Sequence, residues 1–440
     1  MKLAGKTVMV VGLGASGIAA ARFMAAQDAK LILTDRRVDI DRASLPAGEV
    51  KLGPADASWI AGVDLVVTSP GVPRGATLLK AAVARKIPVI GEIELAAQFI
   101  SAPIAAITGT NGKSTVTVLL GEILKAGGMH PFVGGNLGEP LVAAVGGVYD
   151  AIVAEVSSFQ LEWIEHFRPK VGVYLNLTDD HFDRYRNLAE YGAAKARMFA
   201  NQDGGDWAIL NRDDPNVWEL AKPVRSRVFG FGFVGSGHAP AIWPENDALR
   251  FDMGSRRGRI SIAGFRLPGR HNVSNAMAAS AAALAMFVDE RVIEHALNLF
   301  GGLPHRLEFV CEREGVKWID DSKGTNVGAV VEALESVAAP IVLIAGGVDK
   351  GGDLSPLIAP LRRKVNRAIL IGAAREKMRA ALAGACEIEL VPTLAEAVER
   401  AAQVARKGDT VLLSPACSSF DQFKDYAERG NLFQKLVRAL

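Results

Sequence analysis

Residues 107–115 read ITGTNGKST, which combines glycines, a lysine and hydroxyl groups in the manner of a phosphate-binding loop. The apolar run before it predicts a buried strand, and the run after it, at 116–124, predicts a helix. A strand, a glycine-rich turn and a helix direct backbone N–H groups and the positive end of the helix at one point, where an anion binds. Lys113 adds a mobile cation for the outer phosphates of a nucleotide, and Ser114 offers a hydroxyl group to Mg²⁺. The segment predicts a nucleoside triphosphate site, with a structural glycine turn as the alternative.

This loop departs from the general phosphate-loop pattern at its first position. In G-x-x-x-x-G-K-[ST] the first glycine would fall at position 107, where this chain has Ile107. The loop has an additional glycine at Gly109 instead. The departure indicates a particular subfamily of nucleotide-binding proteins.

Residues 12–17 read GLGASG and form a second candidate nucleotide-binding turn. With Asp35 after the next predicted strand, they fit the dinucleotide fingerprint, in which glycines admit the phosphates and an acid binds ribose hydroxyls. By itself this pattern predicts an NAD-dependent dehydrogenase. Together with the loop at 107–115 it favours a turn that receives the nucleotide part of a substrate, or a glycine turn that only packs a helix on a strand. Ser69 ends another predicted strand at the same carboxyl edge, where open α/β sheets bind ligands.

Three further residues, an acid, a histidine and a lysine, are candidates for metal binding or catalysis at the phosphates. Glu155 ends an apolar β-type run, where nucleotide triphosphatases place a group that binds or polarises Mg²⁺, although a simple loop-end charge fits too. His181 also follows a predicted strand, but Mg²⁺ prefers oxygen ligands, so a surface or core histidine is the simpler interpretation. Lys195 lies in a predicted helical stretch, where the local sequence favours a solvated or ion-paired lysine.

Asn272 and Asn275 lie three residues apart where a helix is predicted to open, so they share one face of it. Either side chain could cap the helix or bind the edge of a purine, and the local sequence favours capping. In the last third of the chain, polar groups follow the predicted strands. They lie at residues 305–306, 320–326, 346–350 and 414–421. Because the carboxyl ends of parallel strands share one edge, these segments favour a ligand site over solvated loops.

Apolar runs of strand length alternate with helical segments, which predicts an α/β protein with largely parallel sheets. Strands are predicted at 8–12, 31–34, 65–68, 88–90, 103–107, 151–156, 171–175, 208–210, 227–230, 317–320, 341–345, 368–371 and 410–413, with a small antiparallel excursion within 230–264. We predict three domains. These are a Rossmann-like domain at 1–92, a central P-loop ATPase-type domain with a mixed or parallel sheet at 93–302, and a Rossmann-like C-terminal domain at 303–440.

Composition restricts the class of protein. With 49% hydrophobic and 22% charged residues among 440, the chain is globular rather than disordered. The net charge of +2 supplies no strong field for DNA or anionic lipid, so we expect no nucleic-acid partner. The longest weakly polar helix that the sequence predicts, at 275–288, is too short to span a bilayer, so we expect no membrane insertion. Cys311, Cys386 and Cys417 form no C-x-x-C pair and predict neither a disulfide framework nor a zinc cluster. The first residues lack a signal-peptide core, and a cytoplasmic location is expected.

These motifs together resemble the Mur ligase family from Lys6 to about Gly430. They occur in the family's order at residues 12–14, 108–115, 134–136, 155–158, 180–181, the Lys195 helix, 269–272, 305–306, 321–326 and 414–417. The sequence TGTNGK at 108–113 is close to diagnostic for the family. The loop DSKGTN at 321–326 and the segment DQFK at 421–424 favour the branch that adds D-glutamate. Gly324 is a departure, since alanine is expected at that position.

The resemblance implies ATP-dependent amide formation in the synthesis of peptidoglycan precursors. The implied substrates are UDP-N-acetylmuramoyl-L-alanine and D-glutamate, which are joined through an acyl phosphate. The implied cofactors are ATP, two Mg²⁺ ions and a CO₂-derived carbamate on Lys195 that helps to hold the second ion. This role replaces the solvated lysine that the local sequence favours. A monomer is expected.

The resemblance also assigns roles to residues by position. The catalytic residues are Lys113, Glu155, His181 and Lys195, and the metal-site residues are Ser114, Glu155, His181 and carbamylated Lys195. The residues at ATP-binding positions are Gly109, Thr110, Asn111, Gly112, Lys113, Ser114, Thr115, Asn272, Asn275, Arg306 and Asp321. The residues at positions for the sugar nucleotide are Ala15, Ser16, Asp35, Ser69 and Asn136. Ser157 is a further substrate-binding position. The D-glutamate pocket comprises Lys323, Thr325, Lys350, Ser419 and Phe420, with Tyr426 as its aromatic neighbour.

Other functions remain as alternatives. Another member of the family could add L-alanine or a diamino acid. A folylpolyglutamate synthase is disfavoured, because its phosphate loop lies much nearer the N-terminus. An NAD-dependent dehydrogenase would leave the Lys113 loop unexplained. A nucleotide-gated binding module would need no second substrate pocket, so the loops around Lys323, Lys350 and Ser419 argue against it.

Overall fold

The computed structural model describes residues 1–234 and 240–440, and the first of its three sheets is built entirely from parallel strands. Its order is β3-β2-β1-β4-β5. The strands are β1 (Thr7–Val11), β2 (Lys30–Asp35), β3 (Glu49–Leu52), β4 (Leu65–Thr68) and β5 (Val89–Gly91). The helices α1 (Ala15–Ala25), α2 (Thr77–Ala84) and α3 (Glu92–Ala97) accompany them.

The side chains of β1 alternate between two faces of the sheet that are both covered, which explains the continuous apolar runs of its strands. Val8 and Val10 pack with the residues of α1 on one face, whereas Met9 packs with the residues of α2 on the other. Successive side chains of a strand point to opposite faces, so a strand that is covered on both faces is apolar throughout.

The second sheet has the order β14-β13-β12-β11-β10-β9-β6-β8-β7. Its strands are β6 (Ile104–Thr108), β7 (Pro131–Gly135), β8 (Ala151–Glu155), β9 (Val171–Tyr174), β10 (Trp207–Asn211), β11 (Arg227–Phe231), β12 (Ala241–Glu245), β13 (Ala248–Asp252) and β14 (Arg257–Ser261). The pairs β12–β13 and β13–β14 are antiparallel, which confirms the predicted excursion within 230–264, and residues 235–239 of that stretch lie outside the described residues. The helices that follow in the chain are α4 (Lys113–Ala126), α5 (Ser158–Leu161), α6 (Leu188–Ala196), α7 (Pro215–Trp218), α8 (Arg270–Ala285) and α9 (Glu290–Leu299).

The third sheet has the order β15-β16-β20-β17-β18-β19, in which only the pair β15–β16 is antiparallel among the described residues. Its strands are β15 (Glu308–Arg313), β16 (Val316–Asp320), β17 (Ile341–Gly346), β18 (Val365–Ile371), β19 (Glu387–Leu390) and β20 (Thr410–Leu413). Its helices are α10 (Val327–Ser336), α11 (Ile358–Lys364), α12 (Arg375–Ala381), α13 (Leu394–Val404) and α14 (Tyr426–Ala439). Leu343 faces one apolar core and Val342 faces the other, so this sheet is also covered on both sides.

Two compact units make up the chain. The first unit comprises Met1–Asn176, Ala189–Ala263 and Ala276–Asn298, and it contains the first two sheets. The second unit comprises Leu177–Leu188, Gly264–Asn275 and Leu299–Leu440, and it contains the third sheet. The predicted α/β class is confirmed, and the boundaries of the three predicted domains stay a prediction. In the described parts of the chain, no helix combines the length and the apolar character needed to cross a membrane.

Candidate functional site

The phosphate loop lies between β6 and α4, as the sequence predicts, and two of its glycines are required by its backbone. Gly109 has φ +149° and Gly112 has φ +81°, values that residues with a side chain rarely adopt. A Cβ atom at Gly109 would also lie 2.9 Å from the Cβ atom of Leu175. Helix α4 begins at Lys113, three residues before the predicted run, so Lys113 and Ser114 lie in its first turn.

Asn176, which follows β9, braces this loop from the side. Its Oδ1 atom accepts a hydrogen bond from the N–H of Asn111 at 2.8 Å, and its backbone oxygen accepts one from the N–H of Thr110 at 3.0 Å. Its Nδ2 atom donates to the backbone oxygen of Asn111 at 3.2 Å. In this structure, therefore, two N–H groups of the loop hold its shape, and their role at the phosphates stays a prediction. Reasoning from the sequence missed Asn176, because its partners are 65 positions away.

The side chain of Lys113 lies along the loop. Its Nζ atom donates to the backbone oxygens of Gly109 and Thr110, at 2.8 and 2.7 Å. Hydrogen bonds of this kind keep the ammonium group beside the N-terminus of α4, where the helix dipole also favours an anion. The cation and the helix end therefore lie together at the place where the sequence predicts phosphates.

Glu155, at the end of β8, connects the loop to the segment after β7. Its Oε2 atom accepts a hydrogen bond from Ser114 Oγ at 2.7 Å, and its Oε1 atom accepts one from Asn136 Nδ2 at 2.7 Å. The side chains of Ser114 and Glu155 are both buried. Three predicted site residues, which are up to 41 positions apart, are thus in direct contact. A carboxylate beside a hydroxyl group is the oxygen donor set that Mg²⁺ prefers.

Lys195 is buried in α6, with 1% of its surface exposed, so the solvated lysine that the local sequence favours is wrong. Its Nζ atom donates to the backbone oxygen of Gly109 at 2.9 Å and lies 4.5 Å from the centre of the Tyr191 ring. The position of Lys195 beside the phosphate loop is consistent with a role at that loop. Its carbamylation stays a prediction.

A cavity of about 960 Å³ lies at the carboxyl edge of the first sheet. Among the residues that line it are Ala15, Ser16, Asp35, Ser69 and Asn136. The structure therefore brings together all five residues that were predicted to contact the sugar nucleotide. Ser157, predicted to bind a substrate, caps α5: its Oγ atom accepts from the N–H of Gln160, and its own N–H donates to Gln160 Oε1. Its role in substrate binding stays a prediction.

Asp35 is already engaged by protein groups in this cavity. The N–H of Leu13 donates to its Oδ2 atom at 2.7 Å, and Arg37 donates to both of its oxygens through its backbone and guanidinium groups. Burial alone would raise the pKa of Asp35, but these hydrogen bonds from Arg37 and Leu13 outweigh it and lower the pKa. Reasoning from the sequence missed Arg37, which also lines the cavity.

The turn at residues 12–17 uses its glycines for close packing. A Cβ atom at Gly17 would lie 1.9 Å from the backbone oxygen of Gly12, which also accepts a hydrogen bond from Ser69 Oγ at 2.6 Å. Ser69 thus holds the turn from the neighbouring strand, in addition to lining the cavity.

In the second unit, a cavity of about 450 Å³ is lined by Thr325 and Lys350 of the predicted D-glutamate pocket. Asp180 and Glu332 line it as well, and neither was predicted. Lys350 Nζ lies 3.5 Å from Asp180 Oδ1, an ion pair inside this unit. Burial raises the pKa of Glu332 to about 7, and the positive charge of Arg306 opposes this rise.

His181 follows Asp180 and has φ +57°. Its N–H donates to Asp180 Oδ1 at 2.9 Å, and its Nε2 atom lies 3.7 Å from Asp180 Oδ2. His181 belongs to the second unit and Glu155 to the first, so a metal site shared by them stays a prediction.

The remaining residues of the predicted D-glutamate pocket follow β16 and β20. Lys323 Nζ donates to the hydroxyl oxygen of Tyr426 at 3.2 Å and lies 4.8 Å from the centre of its ring. Ser419 is buried, whereas 73% of Phe420 is exposed to solvent. An exposed aromatic side chain at this edge is available to cover a ligand.

The residues at the predicted adenine and ribose positions lie on α8 (Asn272 and Asn275), just before β15 (Arg306) and just after β16 (Asp321). Asn272 and Asn275 lie inside α8, which begins at Arg270, so neither is its N-cap and the capping alternative is wrong. Asn272 Nδ2 donates to the backbone oxygen of Pro268 at 2.7 Å. Burial raises the pKa of Asp321 to about 7, against the lowering effect of the hydrogen bond that Ser414 Oγ donates to its Oδ2 atom at 2.6 Å.

Gly324, the departure from the expected alanine, has a structural reason. A Cβ atom at this position would lie 2.5 Å from Asp321 Oδ2 and 2.8 Å from Ser414 Oγ. Contacts that close would force the hydrogen-bonded pair apart. Glycine therefore fits this chain's arrangement of Asp321 and Ser414.

Comparison with known proteins gives matches along nearly the whole chain. The family models that match are "Mur ligase MurD-like, N-terminal domain" at residues 6–91, "Mur ligase middle domain" at 107–283 and "Mur ligase, glutamate ligase domain" at 305–417. A UDP-N-acetylmuramoylalanine–D-glutamate ligase of Geotalea uraniireducens is 47% identical, over 100% of this chain and 99% of the relative. One of the same name from Geotalea daltonii is 46% identical, with the same coverage. Among solved structures, a pseudomurein peptide ligase type C from Methanothermus fervidus has a TM-score of 0.63 at 20% identity, over 99% of this chain and 100% of that one, which shows a shared fold.

Proposed function

Because this chain belongs to the Mur ligase family, we propose that it uses ATP to join D-glutamate to UDP-N-acetylmuramoyl-L-alanine in the synthesis of peptidoglycan precursors. The observation that carries this proposal is the 47% identity to a ligase of that name over the full length of both chains. The geometry around Glu155 agrees with it, since Ser114, Asn136 and the phosphate loop are brought together there.

The reaction proceeds in two steps. A carboxylate oxygen of the substrate's alanine attacks the γ-phosphorus of ATP, so that an acyl phosphate forms and ADP leaves. The amine of D-glutamate then attacks the acyl carbon, loses a proton and expels inorganic phosphate. Two negative charges that are ~4 Å apart at an effective dielectric constant of ~20 repel each other by about 4 kcal/mol. Lys113 and the N-terminus of α4 oppose this repulsion and orient the γ-phosphate.

Ser114 and Glu155 are the residues that would hold Mg²⁺. Their buried oxygen atoms, 2.7 Å apart, form a donor set that suits this ion. Bound there, Mg²⁺ would neutralise charge on the β- and γ-phosphates. We propose two ions, the second held with help from His181 and a carbamate on Lys195.

A carbamate on Lys195 is compatible with the contacts of this side chain. The ammonium group of Lys195 first loses one proton; the neutral amine then bonds to the carbon of CO₂ and releases a second proton, so that the cation has become an anion. The carbamate nitrogen keeps one N–H group, which can still donate to the backbone oxygen of Gly109, its present acceptor at 2.9 Å. The two carbamate oxygens then supply the oxygen ligands that Mg²⁺ prefers.

Each substrate has a candidate site. The cavity of the first sheet, with Ala15, Ser16, Asp35, Ser69 and Asn136, would take the uridine nucleotide. In the second unit, Lys323 and Lys350 suit D-glutamate, because this amino acid carries two carboxylates. Thr325, Ser419, Phe420 and Tyr426 would complete this pocket, and Asn272, Asn275, Arg306 and Asp321 would bind the base and ribose of ATP.

Domain functions follow from these sites. We propose that residues 1–92 bind the sugar nucleotide, that residues 93–302 bind ATP, and that residues 303–440 bind the amino acid. A monomeric state and a cytoplasmic location remain predictions from the sequence.

Transfer of labelled oxygen tests the proposed reaction. The acceptor is prepared with ¹⁸O in its alanine carboxylate and incubated with ATP, Mg²⁺ and D-glutamate. One ¹⁸O atom should appear in the released phosphate, because the acyl carbon keeps only one of its two labelled oxygens. Unlabelled phosphate would refute the acyl-phosphate route. Parallel reactions with L-alanine or a diamino acid and their matching acceptors separate this function from those of other family members, and Lys113→Ala serves as the inactive control.

A further inference from the structure

The C-terminal helix α14 presents one buried face to the third sheet. Its buried side chains are those of Arg429, the adjacent pair Phe433 and Gln434, and Val437, so that the buried positions are three or four residues apart along one face. Such spacing is the period of an α-helix that packs along one side. The apolar members belong to the core of the sheet. Gln434 and Arg429 are polar, and Arg429 is the charged member of the set, a guanidinium group with 1% of its surface exposed.

Arg429 binds the loop that follows β16. Its Nε atom donates to Ser322 Oγ at 3.0 Å, and its Nη2 atom donates to the backbone oxygen of Ser322 at 2.8 Å. Ser322 Oγ in turn donates to the backbone oxygen of Tyr426 at 2.8 Å. Lys323, the next residue in this loop, contacts the Tyr426 hydroxyl at 3.2 Å. The guanidinium group therefore fixes the backbone from which Lys323 extends.

The same guanidinium group also binds the loop that follows β20. Its Nη1 atom donates to the backbone oxygen of Cys417 at 3.3 Å. The next residue, Ser418, forms a backbone bridge to Val348, with hydrogen bonds of 2.9 and 3.0 Å in the two directions. Ser419 follows this bridge on one side, and Lys350 lies two residues beyond it on the other. One buried cation thus contacts two of the three loops that carry the pocket, and the bridge between Ser418 and Val348 connects the third loop to one of them.

The position of a buried arginine here requires a physical reason. Burial of a charged group is unfavourable unless hydrogen bonds compensate for the lost hydration. Burial lowers the pKa of Arg429 to about 10, so the group is still a cation at neutral pH. Its planar fork reaches two loops at once, which the single ammonium group of a lysine does with poorer geometry.

We propose that Arg429 is a positioning residue for D-glutamate, which holds the loops of Lys323, Ser419 and Lys350 in register for the two carboxylates of this substrate. This inference rests on the proposed function. Arg429 acts through these loops and does not itself touch the substrate.

The test compares three variants of the full-length protein. Arg429→Lys keeps the charge but loses the fork, and Ser322→Ala removes the hydroxyl partner of Arg429 while leaving the arginine in place. Arg438→Lys, an exposed arginine of the same helix, is the matched control. Phosphate release is measured while D-glutamate, ATP and the sugar-nucleotide acceptor are varied in turn, and thermal unfolding reports on the fold of each variant.

We expect Arg429→Lys and Ser322→Ala to raise the KM for D-glutamate by about tenfold, the size of one lost hydrogen bond to a charged group. The KM values for ATP and acceptor should stay within about twofold, and Arg438→Lys should match the wild type. A lower melting temperature with an unchanged KM for D-glutamate would mean a merely structural role and would overturn the inference. If Arg429→Lys does not fold, the KM of Ser322→Ala decides. Wild-type protein without D-glutamate-dependent phosphate release would instead overturn the proposed function, and this inference with it.

Discussion

The Glu155→Gln substitution tests the centre of the proposed site with a change of one atom. Glu155 accepts two hydrogen bonds through its two carboxylate oxygens, from Ser114 and from Asn136, both at 2.7 Å. Glutamine keeps the size of the side chain but has one acceptor oxygen and one donor NH₂ group. At least one of the two contacts must then be rearranged, and the negative charge beside Ser114 is lost.

The size of the effect follows from these contacts. A hydrogen bond to a charged group contributes about 1.5–3 kcal/mol. Loss of one such bond, and of its orienting effect on Ser114, should lower kcat/KM by a factor of roughly 10 to 150. The loss should be larger at limiting Mg²⁺ than at high Mg²⁺, because the carboxylate is also a proposed ligand of the ion.

The assay measures ADP release while ATP is varied at saturating acceptor and D-glutamate, so that kcat/KM refers to ATP. It is repeated over a range of Mg²⁺ concentrations. Glu139→Gln provides a matched control, since it removes an exposed carboxylate from the segment that holds Asn136. A kcat/KM of Glu155→Gln within about threefold of the wild type at limiting Mg²⁺ would refute the reasoning, since this change is smaller than one lost charged hydrogen bond.

Three more predictions concern separate parts of the chain. Lys195→Ala should be severely impaired and partly rescued by short carboxylic acids, which can occupy the place of the carbamate; wild-type activity without such acids would exclude a metal-bridging carbamate. Lys323→Ala should raise the KM for D-glutamate more than the KM for ATP, and equal effects on both would remove Lys323 from the amino-acid pocket. Glu92→Gln should stabilise the protein at pH 8 but not near pH 5, as urea unfolding can measure. Burial raises the pKa of this carboxyl from 4.5 to about 7, although the N–H of Val142 donates to it. The folded state therefore binds the extra proton between these values, and stability falls as the pH rises through them, by up to roughly 3 kcal/mol. A pH-independent difference from the wild type would contradict this assignment.

The fold could be predicted from the sequence where strands are buried on both faces. Every apolar run in the sheet interiors, such as those of β1, β6 and β17, corresponds to a strand. The strands β3, β7, β15 and β19 were not predicted, and all four lie at sheet edges. The strands β3, β15 and β19 are partly exposed, so their sequences mix polar and apolar residues and resemble loops. The strand β7 is largely buried, but its proline and two glycines are residues typical of a turn. The order of the strands in each sheet could not be predicted either, because it depends on pairing between segments that are distant in the sequence.

The candidate site divides in the same way. The phosphate loop was recognisable because its chemistry lies in a few consecutive residues, among them Gly109, Gly112 and Lys113. Lys195 was misjudged from its neighbours, since burial at 1% exposure is a property of the packed protein. Asp180 and Arg37 were missed for a related reason, because a charged residue in a loop has no local mark that distinguishes a ligand-site residue from a solvated one.

The amino-acid sequence is enough to predict the phosphate-binding turn, the alternation of strands and helices, and the resemblance to the Mur ligase family. These follow from local spacing, since glycines with positive φ and residues in a helix's first turn need only their neighbours. The distant groups that support these features are seen only in the folded chain. They include Asn176 beside Asn111, and Arg429 beside Ser322 at a separation of 107 residues. Contacts of that range depend on the order in which strands pair and on the face that each helix buries. The sequence therefore predicts the phosphate loop, whereas the distant residues that support the proposed sites are found only after the chain has folded.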